Sequence, residues 1–291
     1  EVYQQDIVIN RTTGTAYNET ANGLETWHIY VGEHCREDYG DVRFTNSTGA
    51  ELAYYLWPGY DNTSANFTVR LEGADAAGEV LVWYGNPSAT TTSDGDATYE
   101  IFDHFDGETI DTSKWDTVSG TWIISNGHLK QSRTGAYRSV IRTKAYSIDR
   151  TNLSHTLETK LKWGGGSTST GSQDIHIEGP TSMEDYCQMT LRYENGQRTE
   201  IHLESSVPSS KSLSWNTSLW HILRMDCHGP TVDGYIDGAQ QHTSISNALT
   251  TSPLYVGIQT WDAQPQIDYI LVRAYSATPP SLQDASGEIS W

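Results

Sequence analysis

The chain has 291 residues, with 37 acidic and 18 basic side chains and a formal net charge of −19. That excess excludes nucleic acid and anionic membrane surfaces as partners, since both require a surplus of lysine and arginine. It suits a solvated extracellular protein, one living in salt or one that binds cations, and the length allows one or two domains with real cores.

Ten tryptophans and seventeen tyrosines stand against four phenylalanines. Rings with an apolar body and a polar edge serve half-buried sheets and sugar-facing surfaces alike. No run reaches the length of a transmembrane helix, so no direct membrane insertion is expected. Residue 1 is glutamate and no signal peptide is present, so the chain is expected to be a mature or excised piece of a longer product. Asn-x-Ser/Thr sequons at Asn10, Asn18, Asn46, Asn62, Asn66, Asn152 and Asn216 favour an exported glycoprotein. Three cysteines cannot build a disulfide framework. Cys187 and Cys227 share the apolar parity of their strands, which leaves a core disulfide or two buried thiols. No Cys-x-x-Cys spacing points to zinc.

In chain order, residues 1–98 read as short alternating runs: 5–9, 26–31, 41–45, 51–57, 66–71 and 79–84. Turn residues separate them, as in Asn46-Ser-Thr-Gly49, and no segment has helical periodicity. Such punctuation predicts a small antiparallel β-sandwich. Asp41-Val-Arg-Phe-Thr-Asn-Ser-Thr-Gly-Ala-Glu-Leu52, Val82-Trp-Tyr-Gly-Asn-Pro87 and Ser93-Asp-Gly-Asp-Ala-Thr-Tyr-Glu100 resemble a domain-of-unknown-function family. That family is found in secreted surface proteins of archaea and bacteria, often ahead of a concanavalin A-like domain. It carries no established catalytic residues, so the resemblance implies no reaction. Residues 86–96 are polar and read as a short docked link.

The stretch from Ile101 to Trp115 opens a second domain, expected over residues 99–276. Phe102 and Phe105 supply apolar mass, while Asp106-Gly107 and Asp111-Thr-Ser supply turns. This stretch, Gly120-Thr-Trp-Ile-Ile-Ser-Asn-Gly-His-Leu129, Leu219-Trp-His-Ile-Leu-Arg-Met-Asp226, Gly234-Tyr-Ile-Asp-Gly238 and Ile267-Asp-Tyr-Ile-Leu-Val-Arg-Ala-Tyr275 resemble the strands of concanavalin A-like, or laminin-G-like, jelly rolls. The fold class expected is therefore all-β, a small sandwich followed by a larger jelly roll. Residues 277–291, with Pro279-Pro280, read as a linker or tail.

Strand side chains alternate between faces. Ile175 and Ile177, then Cys187, Met189 and Leu191, then Ile201 and Leu203, are predicted to face the core. Asp174, His176, Glu178, Gln188, Thr190, Arg192, Glu200, His202 and Glu204 are predicted to face away, into water. At Glu194-Asn-Gly196 a two-residue loop would set Leu191 opposite Glu200, mixing core and solvent positions. A three-residue loop sets Met189 opposite Ile201 and Gln188 opposite His202, so the longer loop, with Gly196 at positive φ, is predicted.

The outward residues would form one polar grid, and Trp163 and Trp261 could stack on sugar rings. The resemblance implies glycans or surface polymers as partners, bound on the concave sheet; the plain alternative is a solvated sheet face. A structural subunit packing against copies of itself is the second reading. Glu200-Ile-His-Leu-Glu204 is similar to a glycosidase strand motif, Glu-x-Asp-x-Glu, but His202 replaces the middle aspartate, and carboxyls four apart on a strand lie about 13 Å apart at Cα. No catalytic residue is assigned and no cofactor is expected. His176, His202 and Glu200 are chemically adequate for a divalent metal. Asp103, Asp106 and Asp111 are candidate calcium ligands and equally good turn formers.

Overall fold

The computed structural model describes residues 2–11, 17–21, 24–72, 79–132, 138–144, 154–164, 170–178, 186–194, 196–203, 206–246 and 254–275. They fall into two compact units that divide between Ile101 and Phe102, and the second runs to Tyr275. Strands dominate both, in keeping with the all-β expectation.

The first unit holds β1 (Val2–Asn10), β2 (Tyr17–Ala21), β3 (Leu24–Tyr30), β4 (Arg43–Asn46), β5 (Tyr54–Leu56), β6 (Ser64–Glu72) and β7 (Val80–Trp83), then a four-residue helix α1 (Gly95–Thr98). One sheet has the order β2-β3-β1-β6-β5, and β4 pairs with β7 in a second. The expectation of a purely antiparallel unit is corrected at one place: β1 and β3 run parallel. The intervening β2 folds back antiparallel on β3, so β3 leaves in the direction of β1. Ile7, Ile9, Phe44, Tyr54, Phe67, Val69 and Leu71 form its core. Edge-to-face rings bind it, with Phe44 5.3 Å from both Tyr54 and Phe67.

The second unit comprises β8 (Ile101–Asp103), β9 (Trp115–Ser119), β10 (Trp122–Ile124), β11 (Leu129–Gln131), β12 (Arg138–Thr143), β13 (Ser154–Lys162), β14 (Thr170–Glu178), β15 (Tyr186–Glu194), β16 (Gln197–Leu203), β17 (Ser206–Ser212), β18 (Trp220–His228), β19 (Thr231–Ile236), β20 (Ala239–Ser246), β21 (Tyr255–Trp261) and β22 (Gln266–Ala274). One sheet runs β10-β11-β22-β13-β18-β19-β20, with β8 beside β22. The facing sheet runs β17-β16-β15-β14-β21-β12-β9. In each sheet a strand from the end of the chain inserts between earlier ones, as a jelly roll requires. The predicted core positions Ile175, Ile177, Met189, Leu191 and Ile201 are all buried. They meet the other sheet: Cys187 Sγ lies 3.9 Å from Met225 Sδ, and a side chain on Gly234 would press on Met189 and Ile201.

The β15–β16 hairpin has the predicted register, with Met189 opposite Ile201, Gln188 opposite His202 and Tyr193 opposite Gln197. Three residues therefore close the loop, and Gly196 sits at φ +120°. Cys187 and Cys227 are both free and fully buried, so the disulfide alternative gives way to two core thiols. Cys35 is a third buried thiol.

Candidate functional site

The face of the seven-stranded sheet that points away from the sandwich core carries the chemistry. Cα pairing orders its side chains into rungs across the strands. One rung runs Arg142, Gly257, His176, Gln188, His202. The next runs Val140, Gln259, Asp174, Thr190, Glu200, Ser210. A third runs Arg138, Trp261, Ser172, Arg192, Arg198, Ser212. Parity thus put Asp174, His176, Glu178, Gln188, Arg192, Glu200 and His202 on one face, as the sequence indicated.

The expectation that this face is wet needs correcting. Asp174 is 0 % exposed, His176 and Glu178 are 2 % exposed, and Gln188, Thr190 and Glu200 are buried as well. The reason is mutual cover: polar side chains on strands about 4.8 Å apart interlock and exclude water from one another. Arg142 donates from Nη1 to Glu178 Oε1 at 2.7 Å, and its guanidinium lies 4.5 Å from the centre of the Tyr255 ring. Gln259 accepts from Arg138 Nε and donates to Asp174 Oδ2 at 3.1 Å. Arg198 Nε donates to Glu200 Oε1 at 2.6 Å, while His202 Nε2 lies 2.8 Å from Glu200 Oε2. Arg192 Nη1 stands 3.5 Å from that same oxygen.

Burial shapes the protonation of this face. It pushes Asp174 up to about 7, against hydrogen bonds from Thr190, Gln259 and Ser172 and the charge of Arg138. It pushes His176 down to about 4, opposed by the Glu178 charge. Burial would raise Glu200, but the hydrogen bonds and charge of His202 and Arg198 outweigh it and hold its carboxyl below the ordinary value. His202 is lowered by burial, against the pull of Glu200. Both ring nitrogens of His176 and Oδ1 of Asp174 are buried without a hydrogen-bond partner among the described residues. His176 Nε2 is 3.7 Å from Glu178 Oε2, too far for a hydrogen bond. The imidazole is seated over Gly257, where a Cβ would stand 2.5 Å from His176 Nε2 and 2.7 Å from the Ile141 carbonyl oxygen.

The third rung is the open end. Trp261 is 49 % exposed, and the Arg192 and Arg198 side chains are 35 % and 28 % exposed. Trp163 does not join it. Its ring packs towards Tyr193 and Trp215 and would touch a side chain placed on Gly171, a position of core parity. Trp163 therefore closes one end of the sandwich core instead of flanking the polar face. Glu204 lies outside the described residues. The contribution of Arg138, Arg142, Ser172, Gly257 and Gln259 was not visible in sequence. Alternation in β12 marks Arg138 and Arg142 as outward, but nothing local says that β12 pairs with β21.

His176 and His202 are held two strands apart by Gln188, and among the described residues no group of three or more His, Cys, Asp or Glu could hold a metal ion. Asp103 and Asp111 act locally. Asp103 accepts from the Phe105 amide and from Trp115 Nε1 at 2.6 Å, and Asp111 accepts from the amide and hydroxyl of Ser113. Asp106 is exposed. Among the sequons, Asn62, Asn66 and Asn216 are exposed and Asn46 is half-buried. The side chains of Asn10, Asn18 and Asn152 lie outside the described residues. No described helix is long and apolar enough to cross a membrane.

Residues 38–118 match the family described as "Domain of unknown function (DUF2341)", a span that begins within the first unit and ends in β9. The resemblance read from the sequence covers most of residues 1–100, and the family match begins later and runs further. No curated protein matches the chain. Among solved structures, the chain is similar to the carbohydrate-binding module CBM66 from Bacillus subtilis at 16% identity and a TM-score of 0.44, covering 56% of this chain and 96% of that one. It is similar to a beta-1,3-glucanase from Mycobacterium marinum at 15% identity and a TM-score of 0.45, covering 60% and 98%. It is also similar to the Emp46p carbohydrate recognition domain in its potassium-bound form, at 14% identity and a TM-score of 0.49, covering 60% and 96%. At such scores nothing about this chain's ligand or activity follows from these likenesses, and its fold rests on the strand pairing given above.

Proposed function

We propose that this is an extracellular surface protein that recognises glycans at the open rung of Arg138, Trp261, Ser172, Arg192 and Arg198. The observation that carries the reading is an exposed tryptophan in line with arginines and a hydroxyl, directly beside a buried polar rung on the same face. An indole face suits the apolar face of a sugar ring, and guanidinium and hydroxyl groups suit its oxygens. The adjacent rung fixes those groups in place, Gln259 holding Arg138 and Glu200 holding Arg198 and Arg192, as a binding surface requires. Recognition is favoured over hydrolysis because the three carboxyls at the centre of this face are buried and engaged: Glu178 with Arg142, Glu200 with Arg198 and His202, Asp174 with Gln259. Asp174 and Glu178, four residues apart on β14 and about 13 Å apart at Cα, would have to lean together to bring their carboxyls within about 5–5.5 Å, the spacing of a retaining pair, and Glu178 is held by Arg142 instead.

A glycan array followed by calorimetry on the best binder tests this. Trp261→Ala and Arg192→Ala are each expected to weaken binding about tenfold or more, the loss of one stacking or charged contact, with thermal unfolding unchanged. Undiminished binding in both variants removes this rung as the site.

A further inference from the structure

We infer that the saccharide taken at this rung is anionic, bearing carboxylate or sulfate groups. This rests on the glycan-binding reading above and adds the ligand's charge. The chain carries about two acidic side chains for each basic one. Among the side chains described on this face the ratio is even: Arg138, Arg142, Arg192 and Arg198 stand with four carboxyls, Asp116, Asp174, Glu178 and Glu200. The charges are also sorted along the strands: three of the four arginines share the rung of the exposed Trp261, and that rung holds no carboxyl.

Hydrogen-bonding inventory points the same way. Guanidinium and indole groups only donate, so Ser172, and Ser212 at the β17 end, are the sole side chains of that rung able to accept. A neutral sugar offers hydroxyls that both donate and accept, and a site for it usefully includes acceptors. Carboxylate and sulfate oxygens only accept, which complements a rung made mostly of donors, and the planar fork of arginine meets them with two bonds at once. The buried acids serve this arrangement. Glu200 gathers Arg198 at 2.6 Å and Arg192 at 3.5 Å, setting two guanidinium groups side by side despite their mutual repulsion. The net charge of the whole chain does not oppose this at contact, since charges beyond about 10 Å are largely screened at 0.1 M salt.

The test is an array printed with the same oligosaccharide backbones in neutral, uronate and sulfated forms, with affinities then measured in solution. Uronate or sulfated members are expected to bind at least tenfold more tightly than their neutral counterparts. Raising the salt from 50 to 500 mM should weaken that binding in the unmodified protein, and the Arg138→Gln/Arg192→Gln double variant should erase the preference. Whichever anionic form binds identifies the source of the charge. Equal or tighter binding of the neutral members overturns the anionic assignment and leaves the glycan site standing. Absence of binding to every member overturns both.

Discussion

Gly257 has no room for a side chain, because the His176 imidazole and the Ile141 carbonyl already occupy the space a methyl group would take. The carbonyl is backbone and cannot swing aside. Gly257→Ala is therefore expected to cost about 1–3 kcal/mol in urea denaturation, the usual range for overpacking. Asp174 and His176, two residues apart on the same face, make opposite contributions to pH dependence. Asp174 rises from 3.8 to about 7 on folding, so its stabilising share is complete below pH 3.8 and is lost as pH climbs towards 7. His176 falls from 6.5 to about 4, so its share is complete above pH 6.5 and is lost as pH drops towards 4. Between pH 4 and 6.5 the two slopes oppose each other. Asp174→Asn should leave the histidine term uncovered. Stability of the variant should then rise with pH more steeply than that of the parent, by up to about 1.4 kcal/mol per pH unit. Parallel pH profiles for the two proteins would refute the assignment.

The β15–β16 hairpin shows how far local rules reach. Each strand alternates with period two, and only one loop length aligns both apolar sets, so the register is set by residues 187–203 alone. Gly196 closes the loop at φ +120°, and no atom lies within 4 Å of where its Cβ would be. The cost of Gly196→Ala is thus a backbone cost, expected at about 1–3 kcal/mol with no packing component. A denaturation midpoint identical to that of the parent would show that the loop adopts another conformation. Register beyond the hairpin is another matter. β14 pairs with β21 and β21 with β12, joining residues roughly eighty to one hundred and twenty positions apart, and no local pattern in β12 names its partner.

Each unit has its own core, and neither core uses a cross-link. Burial pushes the Cys35 and Cys187 thiols up, to about 11 and about 12, and raises Cys227 well above the ordinary thiol value, so thiolate chemistry is suppressed at all three. An aromatic disulfide reagent is expected to find no reactive thiol in the native protein and three after denaturation, and a reductant should leave the melting temperature unchanged. A drop in melting temperature with reductant would restore the Cys187–Cys227 disulfide.

The sequence by itself determined the strands, the two faces of β14 to β16 and the β15–β16 loop, because alternation and turn chemistry act over a few residues. Tertiary structure alone decided that the polar face is buried over most of its area, that Trp163 joins the core end, and that Trp261 lies exposed among Arg138, Ser172 and Arg192. These outcomes depend on which distant strands become neighbours: Arg138 reaches Gln259 across 121 positions of chain, and Gln259 reaches Asp174 across 85. Burial is a property of what surrounds a side chain, and a strand's own alternation says which way it points but not what it meets there.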